Sequence, residues 1–146
     1  MYKLMNLQLQ SLLEDCDNMI SNLANASALI YQTMERLNWA GFYLLQEGVL
    51  CLGPFQGKVA CTRIEVGRGV CGTAVKVDRT QLVCDVHQFP GHIACDSASQ
   101  SEIVIPVHKG GSIWGVLDID SPDIGRFSPE DQEGLEAFVK ILEGKL

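Results

Sequence analysis

Hydrophobic positions change period along the chain. Between residues 6 and 37 they recur at helical steps: Leu12, Met19, Leu23, Ala26 and Ile30, with Leu29 and Leu37 widening the stripe. Gln, Glu, Asn and Ser fill the other face, as in an amphipathic helix. The polar run from Asp15 to Asn18 is a point where this segment divides into two helices. The stretch NWAGFYLLQEGVLCLGPF then alternates about Glu47-Gly48 and predicts a β-hairpin, with strands near 39–45 and 49–55. CTRIEV (61–66) reads as a short strand. GRGVCGTAVKV (67–77) starts as a glycine-rich loop and becomes a short helix around Gly72 to Lys76. TQLVCDV (80–86) is another strand. Residues 87–101 lack apolar periodicity and form a loop, and loops of that length in compact domains are usually functional or disordered. EIVIPVHK and SIWGVLDIDS flank Gly110-Gly111 as a second hairpin, and SPEDQEGLEAFVKILEGKL closes the chain as a helix. Ser128 is its N-cap, Pro129 suits its first turn, and Asp131 makes an acidic variant of the capping box. This order predicts an α+β domain: an antiparallel sheet with helices packed on one face.

Composition narrows the function classes. The 146 residues suit one domain, long enough for a core that needs no disulfide. The net charge of -7, from 11 basic and 18 acidic residues, argues against a nucleic-acid partner, which would call for a basic stripe. No apolar run approaches the ~18 residues of a membrane span. The N-terminal MYKLMNLQLQSLLEDCDNMI has one lysine followed by polar and acidic residues, and reads as unprocessed and cytoplasmic. Six cysteines in a reducing compartment point to metal binding or thiol chemistry rather than a disulfide framework.

The cysteines divide by context. Cys16, in the N-terminal helix, and Cys51, in the first hairpin, read as small buried hydrophobes. Cys71 lies in GRGVCG at a helix start, where the macrodipole lowers a thiol pKa; packing beneath a glycine turn is the alternative. Cys61 opens a strand, with Lys58 and Arg63 close enough in sequence to favour a thiolate. Cys84, His87, His92 and Cys95 offer a zinc ligand set, but their central gap is shorter than in zinc fingers. Ser97, Ser99 and Ser101 stand near His92 and Asp96 without a G-x-S-x-G elbow, so a serine hydrolase is a poor match. Cys95 itself sits in a polar loop that gives packing little use for it.

Three carboxylates complete the candidate set. Asp118 and Asp120 are two apart on a strand and share a face about 7 Å apart, with Leu117 and Ile119 on the other. They are placed to hold a cationic amino group and to raise each other's pKa; a solvent-facing polar strand is the plainer account. Glu102 begins the strand after the cysteine loop, where a carboxyl serves as a general acid provided its pKa is raised; a surface residue at a strand start is the alternative.

Together NWAGFYLL, LGPFQGKVACTRI, VGRGVCGTAV, DVHQFPGHIACDSASQSEIVIPV and GVLDIDS resemble the free methionine-(R)-sulfoxide reductases, which are built on a GAF domain. The resemblance runs from about Ser21 to the C-terminus and is specific: five blocks in order, with cysteines spaced ten and 24 apart. It implies a single GAF domain over residues 1–146, with a six-stranded antiparallel sheet and N- and C-terminal helices on one face. It implies reduction of free methionine-(R)-sulfoxide, not the peptide-bound form. Carried over, Cys95 is the catalytic cysteine and Cys61 and Cys71 are the resolving candidates. Glu102, Asp118 and Asp120 line the substrate pocket, and Trp39 is an aromatic wall. Thioredoxin is the implied reductant, with no metal or organic cofactor, and the chain is implied to be a homodimer. Cys84 is not required by the pattern and receives no role, and Trp114 stands where smaller aliphatics are common. A GAF-type sensor that binds a small ligand without chemistry is the rival reading, and a zinc-stabilised module the third.

Overall fold

The helical segment does divide. In the computed structural model, which describes residues 1–92 and 97–146, α1 (Tyr2–Glu14) ends at Asp15 and α2 (Met19–Thr33) starts after Asn18. The Asn18 side chain accepts the Ser21 N–H at 3.0 Å, satisfying one of the donors that a helix start leaves open. The break resets the helical phase. A stripe drawn straight through it places Leu12 inside; instead α1 buries Met5, Leu9 and Leu13, and Leu12 is exposed.

Six strands follow, each antiparallel to its neighbours: β1 (Trp39–Gln46), β2 (Val49–Gly57), β3 (Arg63–Glu65), β4 (Gln81–Val83), β5 (Ser101–Lys109) and β6 (Ser112–Ser121), in the order β3-β2-β1-β6-β5-β4. Both hairpins turn where the sequence suggests. Glu47 and Gly48 have φ of 52° and 78°, and Gly110 and Gly111 have 61° and 82°. Two successive positive φ values match the right-handed twist of the flanking strands. The strand predicted over 80–86 is shorter. After Val83 the chain bends into a single 3-10 turn, Val86–Gln88, because the Asp85 carboxylate accepts the His87 N–H at 3.0 Å.

Helices cover both faces of the sheet. α1, α2 and α4 (Pro129–Glu143) pack with Ala40, Phe42, Ile103, Ile105, Leu117 and Ile119 on one face, as expected of the terminal helices. α3 (Gly69–Val77) packs with Trp39, Tyr43, Val104 and Val116 on the opposite face, so the helices are not all on one side. The reason lies in the central strands. Residues 103–105 of β5 and 116–117 of β6 are buried without a break, so both their faces are apolar and both need cover. α4 carries the full capping box: the Ser128 hydroxyl accepts the Asp131 N–H at 3.2 Å, and the Asp131 carboxylate accepts the Ser128 N–H at 2.8 Å. The Tyr2 hydroxyl donates to the same carboxylate at 2.6 Å and ties α1 to α4.

α3 starts three residues before the predicted Gly72. Gly72 allows its close approach: a Cβ there would lie 2.4 Å from the Glu65 carbonyl oxygen. Its own carbonyl accepts the Gly67 N–H at 2.8 Å, and its N–H donates to the Arg68 carbonyl at 3.0 Å. The first turn of α3 is thereby pressed onto the end of β3, and Cys71 faces the sheet, 4% exposed.

Candidate active site

Strand register assembles the site. Asp120 stands between Trp39 of β1 and Glu102 of β5, and Asp118 stands between Gly41 and Val104. All four charged or aromatic side chains have the parity of Val104 and Val116, so they point at α3. Trp39, Cys71, Glu102, Asp118 and Asp120 line one pocket, joined by Tyr43, Ile64, Arg68, His92 and Ser99.

Glu102 is 7% exposed and Asp118 is 6% exposed, which disposes of the solvent-facing account of that strand. Burial pushes the Glu102 carboxyl well above its ordinary range, and the charges of Asp118 and Asp120 push it further. Burial also raises the Asp118 carboxyl, and hydrogen bonding from Glu102 and Cys71 offsets part of that. Two carboxyls that close cannot both ionise cheaply, and the pair retains a proton on Glu102. One Asp118 oxygen, Oδ1, is buried with no hydrogen-bond partner among the described residues.

Cys71 departs from expectation. Its place in the first turn of α3 predicts a lowered pKa, yet the thiol is raised well above its usual value. Burial is the largest cause, followed by the negative charges of Asp118, Glu102 and Asp120. A partial dipole charge at one short helix start is outweighed by desolvation and three nearby acids. Cys71 is a free, neutral thiol.

Cys61 is disulfide-bonded in this structure, while Cys16, Cys51, Cys71 and Cys84 are free. Cys95, the sequence's leading nucleophile, lies outside the described residues. Cys16 and Cys51 are half-buried rather than buried; their thiols donate to the Asn18 and Val49 carbonyls two residues away. Cys84 is exposed and His87 is held by Asp85 at 3.0 Å, whereas His92 lines the pocket. Desolvation first, then repulsion from His87, lowers the His92 pKa, so its imidazole is neutral at neutral pH. The Ser101 hydroxyl donates to the Asp123 carbonyl at 2.6 Å, on the rim of the strand.

The aromatic wall also holds the thiol-bearing segment. Trp39 stacks between Phe55, 5.1 Å between centroids, and Tyr43, 5.9 Å away. Its indole N–H donates to the Lys58 carbonyl at 3.1 Å, and the Tyr43 hydroxyl donates to the Cys61 carbonyl at 2.9 Å. The segment 58–61 is thus fixed over the pocket by two side chains of β1. Burial, then the charge of Asp118, keeps the Tyr43 hydroxyl protonated. The loop after β4 is anchored at both stems. The Val86 N–H donates to the Gln100 carbonyl at 2.9 Å, and the Gln100 N–H to the Ser121 carbonyl at 2.8 Å. Asn38 adds a 2.9 Å bond to the Ser99 hydroxyl.

Tyr43 and Arg68 were missed from the sequence. Tyr43 shares the strand parity of Trp39 and was legible from it. Arg68, exposed at the N-cap of α3, gave no periodic signal; it brings a guanidinium to a lining that also holds three carboxyls.

Comparison with known proteins supports one family. Residues 9–146 match the GAF domain. The chain is 54% identical over 142 residues to the free methionine-R-sulfoxide reductase of Escherichia coli, covering 97% of this chain and 86% of that one. It is 50% identical over 133 residues to the enzyme of the same name from Saccharomyces cerevisiae, covering 86% and 74%. Its structure superposes on that of fRMsr of Staphylococcus aureus in the reduced form with a TM-score of 0.97, at 56% identity, covering 99% and 94%. The same protein in complex with substrate gives a TM-score of 0.95 at 55% identity, covering 99% and 95%. Among the described residues, no helix is long and apolar enough to cross a membrane.

Proposed function

The chain belongs to the free methionine-R-sulfoxide reductase family, enzymes built on a GAF domain, and we propose that it reduces free L-methionine-(R)-sulfoxide to L-methionine by thiol chemistry. The observation that carries this reading is the buried Glu102–Asp118 carboxyl pair beneath the Trp39–Tyr43 wall. A sulfoxide sulfur becomes electrophilic when its oxygen is protonated or hydrogen-bonded. A carboxyl kept neutral by burial is the donor that step requires.

The steps balance without a metal or organic cofactor. Cys95 thiolate attacks the sulfoxide sulfur while Glu102 protonates the oxygen. The oxygen passes to Cys95 as a sulfenic acid and methionine leaves, two-electron reduced. A second thiol then condenses with the sulfenic acid, forming a disulfide and releasing water. We assign this role to Cys61. Its disulfide-bonded state and its suspension from Tyr43 support that choice, and the buried, neutral thiol of Cys71 argues against Cys71 acting first. An external dithiol, thioredoxin, then exchanges with the disulfide and resets the enzyme.

Charge distribution supports a free amino acid as substrate. Asp118 and Asp120 receive the ammonium, which supplies the donor that Asp118 Oδ1 lacks. Arg68 and the first amides of α3 stand opposite and receive the carboxylate. Trp39 takes the methyl group. A peptide-bound residue has neither free terminus and leaves the acids unpaired. We place the protein in the cytoplasm as a homodimer. The exposed apolar side chains Leu4, Leu7 and Ile20 of the α1–α2 layer support a second copy packing there.

The test is methionine release from free methionine-(R)-sulfoxide with a dithiol reductant, with the S epimer and a peptide-bound R-sulfoxide alongside. Turnover of the free R form alone, lost in Cys95→Ser, is the expected result. No turnover, with ligand affinity intact in Cys95→Ser, would make the protein a sensor module.

A further inference from the structure

The same pocket also brings together a set of metal donors. Cys71 Sγ and one carboxylate oxygen each from Glu102 and Asp118 lie within 4.8 Å of one another, and all three residues are buried. Asp118 is 6% exposed, lines the pocket, and keeps Oδ1 without a hydrogen-bond partner among the described residues. A cation would satisfy that oxygen. We propose that Cys71, Glu102 and Asp118 bind one thiophilic divalent cation, of the zinc or cadmium class, in the substrate pocket.

Donor chemistry selects the class. Magnesium and calcium take oxygen ligands, in larger number, and gain nothing from a thiolate. One sulfur and two carboxylate oxygens, with a fourth position open toward the pocket, match the three-ligand arrangement of an open zinc site. The three anionic ligands leave a net charge of about -1 around a divalent ion, so the metal offsets most of the charge that its ligands acquire on binding it. As the metal binds, the protons of the Cys71 thiol and the Glu102 carboxyl both leave to solvent and no electron moves. The ligands come from α3, β5 and β6, three packed elements, and Gly72 fixes the height of Cys71 over the sheet. This thiol is not one of those in the Cys84–His87–His92–Cys95 set that the sequence offered. Bound metal occupies the place assigned above to the substrate ammonium, so it acts as a competitive inhibitor; that consequence alone rests on the proposed function.

Cobalt(II) is the probe, titrated into the full chain kept reduced by a phosphine. The expected result is one equivalent bound, with a thiolate-to-cobalt charge-transfer band in the near ultraviolet that one equivalent of zinc bleaches. Cys71→Ser loses the band and Cys84→Ser keeps it. Asp118→Asn, which preserves size, weakens binding at least about tenfold, the loss expected for even an outer-shell partner. No band in the wild type, a full band in Cys71→Ser, or a band lost in Cys84→Ser overturns the proposal. If Cys71→Ser does not fold, Asp118→Asn decides: affinity within about twofold of wild type overturns it. Saturating methionine sulfoxide displaces the cobalt. A Cys71-dependent band that substrate leaves untouched keeps the metal site and refutes the placement of substrate instead.

Discussion

Replacing Glu102 by Gln separates the two consequences of a buried carboxyl. Burial, then the charges of Asp118 and Asp120, raises the Glu102 carboxyl well above its ordinary range. The folded chain therefore keeps a proton that the unfolded chain releases near pH ~4.3. For a group raised in the folded state, the stabilising contribution is complete below the unfolded value and is lost as pH climbs toward the folded one. Across that window the wild type loses ~1.4 kcal/mol per pH unit through this group. Glu102→Gln keeps the shape and has no proton to lose, so the dependence vanishes. Urea unfolding of both proteins from pH 4 to 7 measures it. Between the unfolded and the folded pKa the stability difference, variant minus wild type, should grow by ~1.4 kcal/mol per pH unit, or about 0.5–1.4 M in midpoint for m-values of ~1–3 kcal/mol/M. Turnover should move the opposite way, falling ~100- to 10,000-fold, about 2.7–5.5 kcal/mol of transition-state stabilisation. A difference that stays flat between pH 4.5 and 7 would mean that Glu102 retains no proton, and the general acid would have to be sought elsewhere.

Other substitutions divide the remaining roles. Cys61→Ser should release about one methionine per chain and then stall with thioredoxin as reductant, its sulfenic acid trapped by a carbon nucleophile; sustained wild-type turnover would move the resolving role to Cys71. Asp118→Ala or Asp120→Ala should raise KM for free substrate at least about tenfold, ~1.4 kcal/mol of lost binding, and an unchanged kcat/KM in both variants refutes the ammonium site. Gly72→Ala drives a Cβ to 2.4 Å from the Glu65 carbonyl oxygen and should cost ~1–3 kcal/mol, read as a fall in Tm of roughly 2–4 °C per kcal/mol.

How much of this was legible follows from what each signal encodes. Both hairpins were readable because Glu47-Gly48 and Gly110-Gly111 supply the positive φ that tight turns demand. Ser128 marked the start of α4 because its hydroxyl has one local task. Asp118 and Asp120 were placed on one face by strand parity, but parity does not say what covers that face. The cover is α3, and its first turn, Gly69 to Gly72, carries two glycines that local propensity assigns to a loop. Packing against β3 overrides that preference. The same blind spot reversed the sign for Cys71: the helix start was visible, the burial and the three acids were not. Leu12 and Leu13 exchanged roles because periodicity cannot be carried across a break whose geometry is unknown.

The β5–β6 hairpin sets Glu102 directly across from Asp120. A tight hairpin zips early, in ~1–10 μs, long before distant strands dock. Like charges on facing cross-strand positions oppose that zipping. Above the carboxylate range, closing this hairpin therefore requires Glu102 to capture a proton from solvent, and chain folding becomes coupled to proton uptake. If the hairpin belongs to the folding nucleus, the refolding limb of the chevron slows as pH rises while the unfolding limb stays level. The arrangement that arms the pocket then also sets how fast the protein folds.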